Sequence, residues 1–177
     1  MKFKILAEKQ IPTDYLNIRE NHLLISISNV NHKVEIPKNL YRKALLQLEF
    51  DDVEDLDEKS RYFDMGLADD ILHFVNKHIS EAGLIVIHCG AGVSRSVAVA
   101  SALSKILNNK DDDMFTLGIP NMLVYTSILE AYFSCKDYNT KWAKIFYVRD
   151  SVLKRLLSPV LYRILQFKIN KRNKENS

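Results

Sequence analysis

The stretch "HCGAGVSRS" at residues 88 to 96 gathers an imidazole, a thiol, two glycines, two hydroxyls and a guanidinium within nine positions. Cys89 is one of only two cysteines in the chain, and Arg95 follows it by six positions. Gly90 and Gly92 allow a tight turn that directs successive backbone N–H groups inward, forming a nest for an anion. A helix opening near Ser94 would add its positive end to that nest. A cysteine placed there sees the helix end, the loop amides and Arg95, all of which favour thiolate over thiol. Such a group is a nucleophile at neutral pH. Arg95 supplies a planar fork for two equatorial oxygens of a phosphoryl group, and it would hold the flattened transition state more tightly than the ground state.

That chemistry needs elements to position it. "LIVIH" at 84 to 88 is a short aliphatic run without polar alternation, which predicts a central strand buried on both faces. "KFKIL" near the start, "HLLISIS" at 22 to 28 and "ALLQLEF" at 44 to 50 predict three further strands. Helical spacing appears in Leu67, Ile71, Phe74, Val75 and Ile79, then in Val99, Leu103, Ile106 and Leu107. After Pro120 it recurs in Leu123, Ile128, Leu129 and Tyr132. Strands alternating with helices imply an α/β fold, a central and mostly parallel sheet flanked by helices. Ligands in such sheets sit beyond the carboxyl ends of the strands, and Cys89 follows the most buried candidate strand.

The bulk properties narrow the setting. The 177 residues, 47% hydrophobic and 27% charged, suit one domain with a sizeable core. No apolar run is long enough to span a membrane, and "MKFKILAEKQ" has no signal-peptide core, so a cytoplasmic location is expected. Two cysteines make no disulfide framework, and Cys135 reads as an incidental free thiol. Residues 1 to 139 carry 15 Lys+Arg against 20 Asp+Glu, whereas residues 140 to 177 carry 10 against 2. The division expected is a catalytic domain over 1–139 and a basic amphipathic helical extension over 140–177.

His88, Cys89, five residues, Arg95 and Ser96 together resemble the signature of the cysteine-dependent protein tyrosine and dual-specificity phosphatases. The resemblance extends loosely over residues 20 to 134, is closest to small bacterial and phage-type members, and does not cover the C-terminal forty residues. It implies a phosphatase-like fold with the phosphate-binding loop between a central strand and a helix. It also implies a phosphate-monoester hydrolase that uses no metal or other cofactor. Cys89 would form a phosphocysteine intermediate, Arg95 would clamp the phosphate, and Ser96 would hydrogen-bond the departing thiolate. His88 would order the loop without acting as acid or base. Gly90, Ala91, Gly92, Val93, Ser94 and Arg95 would bind the substrate phosphate.

The reaction also needs a proton donor for the leaving oxygen, and the same carboxylate can then activate water. The family carries an Asp on a loop some thirty to forty residues before the cysteine. Here "LLQLEFDDVEDLDE" fills that place and offers Asp51, Asp52, Asp55 and Asp57. Asp52 is preferred, because "LEFDDVED" resembles the family's strand-end pattern; Asp55 and Asp51 follow. "IPN" at 119 to 121 is a further resemblance to the family, and it implies that Asn121 braces the phosphate loop, although an ordinary Pro-Asn helix start reads equally well.

The substrate class follows from the loop. Its five intervening residues add no cation, which favours a phosphate monoester over a polyphosphorylated inositide. No second cysteine is close enough for arsenate-reductase chemistry. A phosphoprotein, with phosphotyrosine first, is the expected substrate. "KNLY" at 38 to 41 is superficially similar to the phosphotyrosine-gripping loop of larger relatives. Asp69, Asp70 and His73 read as a polar helix face and not as a metal cluster. The apolar and basic positions of 141 to 170, divided at Pro159, leave three readings open: packing against the body, a membrane surface or protein partner, and nucleic acid, the last without a recognised motif. A peripheral membrane location goes with the second. An RNA 5′-phosphatase, a lipid phosphatase and a phosphoprotein-binding pseudophosphatase are the alternative functions.

Overall fold

The computed structural model describes residues 1–54 and 60–134. Four strands, β1 (Lys2–Ala7), β2 (His22–Ser28), β3 (Arg42–Glu49) and β4 (Leu84–Cys89), form one sheet. Their spatial order is β1-β4-β2-β3, and every pairing is parallel. The helices are α1 (Met65–His78), α2 (Arg95–Asn108), α3 (Asp112–Phe115) and α4 (Met122–Ser134). The chain divides into two compact units, Met1–Leu129 and Glu130–Ser177, and the first holds all the residues discussed below. The basic segment 141–170, Cys135, Asp55 and Asp57 lie outside the described residues. Among the described residues no helix is long and apolar enough to cross a membrane.

Among the described residues, each strand and helix expected from the apolar pattern is present, and the sheet is parallel throughout. The two inner strands are buried along their whole length, β4 with an unbroken aliphatic run over residues 84–87 and β2 with His22, Ser26 and Ser28 among its aliphatics. Alternation along β4 sends Leu84, Val86 and His88 to one face and Ile85, Ile87 and Cys89 to the other. On the first face Leu6, Leu24, Leu84 and Val86 pack with Ile11, Tyr15 and Ile18 from the segment after β1, which runs through short helical turns over Glu8–Gln10 and Ile11–Tyr15. Helix α2 packs against β1 and β4, and α1 packs against β3.

The two long helices differ in a way the spacing does not reveal. α1 is one-sided, burying Leu67, Ala68, Ile71, Leu72, Phe74 and Val75 and leaving Asp69, Asp70 and His73 exposed. Its first turn is capped by Asp64, whose Oδ1 accepts from the Leu67 N–H at 2.9 Å. In α2 every residue from Arg95 to Ile106 is buried. Its alanines and serines let neighbouring backbone approach closely, so a helix that carries a loop's arginine can sit in the interior.

The "KNLY" segment closes the other end of the sheet. Asn39 Nδ2 donates to the carbonyls of Tyr15 and Ile18, and the Tyr41 carbonyl accepts from the N–H of His22, the first residue of β2. Cys89 ends β4 at the carboxyl edge, so this loop is not part of the same site.

Candidate active site

The loop from Cys89 to Ser94 joins β4 to α2. Gly92 has φ +74°, and a Cβ there would lie 2.8 Å from the Ala7 nitrogen, so both conformation and space demand glycine. Gly90 differs from the expectation: its φ is not positive, and a Cβ would meet only the Arg95 Nη2 at an ordinary 3.7 Å. The tight turn therefore rests on Gly92 alone. Two outside contacts fix the loop: the Glu8 N–H donates to the Gly90 carbonyl at 3.1 Å, and the Ile119 N–H donates to the Val93 carbonyl at 2.9 Å. Gly118 lies so close to Val93 that a side chain there would overlap its carbonyl.

Cys89 is 2% exposed at the base of this loop. The Gly92 N–H donates to its Sγ at 3.3 Å, and the Ser96 Oγ is 3.1 Å away. A sulfur carrying negative charge would draw a hydrogen bond from both. Ser94 sits at the N-cap of α2 but makes no capping bond; its hydroxyl donates to Asp52 Oδ1 at 2.8 Å instead.

Arg95 is 5% exposed, and its compensation is incomplete. Nη1 donates to the Phe50 carbonyl at 2.6 Å, and the guanidinium lies 5.8 Å from the Phe50 ring centroid. Nε is buried with no hydrogen-bond partner and is 3.9 Å from Asp52 Oδ2. A buried cation with an unmade bond is costly, and an anion in the loop would relieve it. A cavity of about 180 Å³, lined by Glu8, Ser28, Asn29, His32, Gly90 and Arg95, opens beside this group.

His88 is wholly buried on the opposite sheet face from Cys89, and its Nε2 lies 2.8 Å from the Ser26 Oγ. Register explains the pair, because Ser26 of β2 stands directly opposite His88 of β4. Burial pushes the His88 pKa down to about 4, so the ring is neutral at physiological pH. Below its ordinary value of 6.5 the unfolded chain takes up a proton that the native chain refuses. Stability is therefore expected to fall by about 3 kcal/mol from His88 as pH drops from 6.5 towards 4. Burial lowers His22 as well, which adds in the same sense. Urea denaturation across that window checks this, and His88→Gln should flatten the slope; equal slopes would mean that the ring is protonated in the fold.

The acidic candidates separate by their partners. Asp51 has both carboxylate oxygens committed to backbone, accepting from the N–H groups of Val30 at 3.4 Å and Arg61 at 3.1 Å. Asp52 faces the loop after β4: Oδ1 accepts from Ser94 Oγ and, at 3.0 Å, from Asn121 Nδ2, while Oδ2 is the oxygen towards Arg95. Asn121 also donates to the Val53 carbonyl at 3.2 Å, and its own Oδ1 accepts from the Val124 N–H at 3.1 Å. It thus starts α4 and braces the Asp52 loop; the 89–94 loop itself is held by Gly118 and Ile119.

Four contributors lay beyond the sequence reading: Ser26, the Phe50 carbonyl, Gly118 and the Glu8–His32 pair, in which His32 Nε2 is 2.9 Å from Glu8 Oε1. A serine inside the aliphatic run "HLLISIS" signals a buried hydroxyl in need of a partner, but nothing local says which. A backbone carbonyl leaves no sequence signal.

The chain matches no known family profile and no curated protein sequence. Its fold matches solved structures. The human tyrosine phosphatase-like serine/threonine/tyrosine-interacting protein superposes with a TM-score of 0.54 at 16% identity, over 74% of this chain and 91% of that one. Human DUSP28 gives 0.54 at 13% identity, over 77% and 95%. A mouse protein described as a dual specificity phosphatase, complexed with zinc tungstate, gives 0.52 at 16% identity, over 75% and 82%. The sheet, the loop after β4 and the flanking helices are arranged in the fold of these proteins.

Proposed function

We propose that this chain, with its dual-specificity phosphatase fold, hydrolyses phosphate monoesters through a phosphocysteine intermediate, and that its substrate is a phosphoprotein, phosphotyrosine first. The reading rests on one observation above others: Arg95 is buried with its Nε making no hydrogen bond, at the end of a glycine-turned loop whose base is the Cys89 sulfur. A tetrahedral oxyanion suits such a set of donors. Tungstate in the mouse neighbour is an oxyanion of that shape.

In the proposed first step, Cys89 Sγ attacks phosphorus, an S–P bond forms and the ester P–O bond breaks. The leaving oxygen takes a proton from the Asp52 carboxyl. Arg95 and the loop amides hold the three equatorial oxygens, where charge gathers in the transition state. In the second step water attacks phosphorus and gives its proton to the Asp52 carboxylate. The S–P bond then breaks, phosphate leaves, and the Ser96 hydroxyl supports the departing thiolate. His88, neutral and bonded to Ser26, holds the strand end from which Cys89 projects.

The loop contributes no cation beyond Arg95, and the carboxylate of Glu8 lines the phosphate cavity. Both features disfavour a second phosphate on the substrate. A pseudophosphatase that only binds phosphoproteins is the second reading, suggested by the name of the interacting-protein neighbour. It gives no reason for Cys89, Ser96 and Asp52 to converge.

Hydrolysis of matched phosphotyrosine, phosphoserine and phosphothreonine peptides, each with chelator present, tests the proposal. Release from phosphotyrosine is expected. Release from all three would mean a shallow, dual-specificity site, and release from none would sink the reading.

A further inference from the structure

A second cavity, about 940 Å³, runs alongside the phosphate loop and shares Glu8 and Gly90 with the small phosphate cavity. It is large enough for several residues of a ligand whose phosphate sits on Arg95. Its apolar lining comes from Ile11, Leu16, Val34 and Ile36, where the segments after β1 and β2 face each other. The charged lining is Glu8 and Glu35 with Lys9 and Lys33. These charges cancel, which suits neither a polyanion nor an acidic lipid surface.

The wall made by residues 33–36 has the character of an unpartnered strand. Its burial alternates: Lys33 exposed, Val34 buried, Glu35 exposed, Ile36 half-buried. Among the described residues, no backbone N–H from 33 to 36 donates a hydrogen bond. The Val34 carbonyl is tied inward, accepting from Gln47 Nε2 at 3.5 Å. A row of free main-chain donors beside an apolar trough is what an added peptide strand pairs with.

We propose that this groove receives the substrate polypeptide on one side of its phosphorylated residue, pairing main chain with residues 33–36 and seating an apolar side chain against Ile11, Leu16 and Ile36. The inference rests on the phosphatase reading for its orientation, because the phosphate anchors one end of the peptide at Arg95.

The test measures binding to the Cys89→Ser protein, so that it does not depend on turnover. The probes are phosphotyrosine amide and two phosphotyrosine peptides, one extended by four leucine-containing residues on the amino side and the other on the carboxyl side. One extended peptide is expected to bind at least tenfold more tightly than the amide. N-methylating its flanking amides, which leaves the protein untouched, should erase most of that gain, as should Ile36→Ser. Equal affinity for all three probes would overturn the inference, even where wild-type protein hydrolyses p-nitrophenyl phosphate. A gain indifferent to N-methylation and to Ile36→Ser would overturn it too, as would a short-chain phosphoinositide binding more tightly than either peptide. Tight peptide binding with no hydrolysis of any ester by wild type would keep the groove and retire the phosphatase reading.

Discussion

Replacing Cys89 with serine is expected to lower hydrolysis of a phosphotyrosine peptide by roughly 10⁴-fold or more while binding of the same peptide remains measurable. The substitution keeps size and burial but exchanges a sulfur nucleophile for a far less nucleophilic hydroxyl. Arg95, the Gly92 N–H and the other loop amides, which would carry the phosphate, stay in place. Steady-state kinetics beside anisotropy binding separates the two effects. Retained turnover would remove Cys89 from the chemistry and the proposed mechanism with it. Loss of binding along with turnover would mean that the sulfur organises the loop, since the Gly92 N–H and Ser96 would lose a shared partner.

The second large effect belongs to Asp52. Asp52→Ala should cut the rate on a phosphotyrosine peptide by about a hundredfold or more, and by far less on an aryl phosphate whose leaving group needs no proton. Asp52 also accepts from Ser94 and Asn121, so the alanine variant loosens the loop as well as removing the acid. Asp52→Asn isolates the proton, because the amide oxygen can still accept from both donors. A similar loss on both substrates would point to loop support in place of acid catalysis. Asp51→Asn serves as a contrast: with its oxygens on the Val30 and Arg61 amides, it should cost stability more than it alters leaving-group dependence. The leaving-group pattern appearing in Asp55→Ala instead would move the acid to that residue.

These two variants differ in how they could be foreseen. Cys89, Arg95 and Ser96 stand within eight positions, on a strand, a turn and a helix that are each written locally in apolar spacing and glycine. Asp52 was one of four carboxylates in an acidic run, and its choice needed a family resemblance. In the fold it is distinguished by contacts 42 and 69 residues away in the chain, with Ser94 and Asn121. Asn121 shows the same dependence on distant segments. Its Pro-Asn context writes a helix start, but which loop its amide reaches depends on where α4 begins relative to the sheet.

The sequence by itself determined the mostly parallel α/β architecture, the burial of β4 and the placement of a thiol, a glycine-containing loop and a guanidinium at one strand's carboxyl end. Each follows from periodicity or from spacing within a few residues, and short-range geometry leaves little choice. Only the tertiary structure decided that Ser26 holds His88, that the Phe50 carbonyl and not an acidic side chain bonds Arg95 Nη1, that Gly92 and not Gly90 is conformationally required, and that the groove along residues 33–36 shares Glu8 and Gly90 with the small cavity beside Arg95. Those features arise where strand register and crossover loops bring distant segments together. Parallel strands are neighbours only through long connections, so a one-residue change in register would turn Ser26 to the opposite face without altering any local pattern.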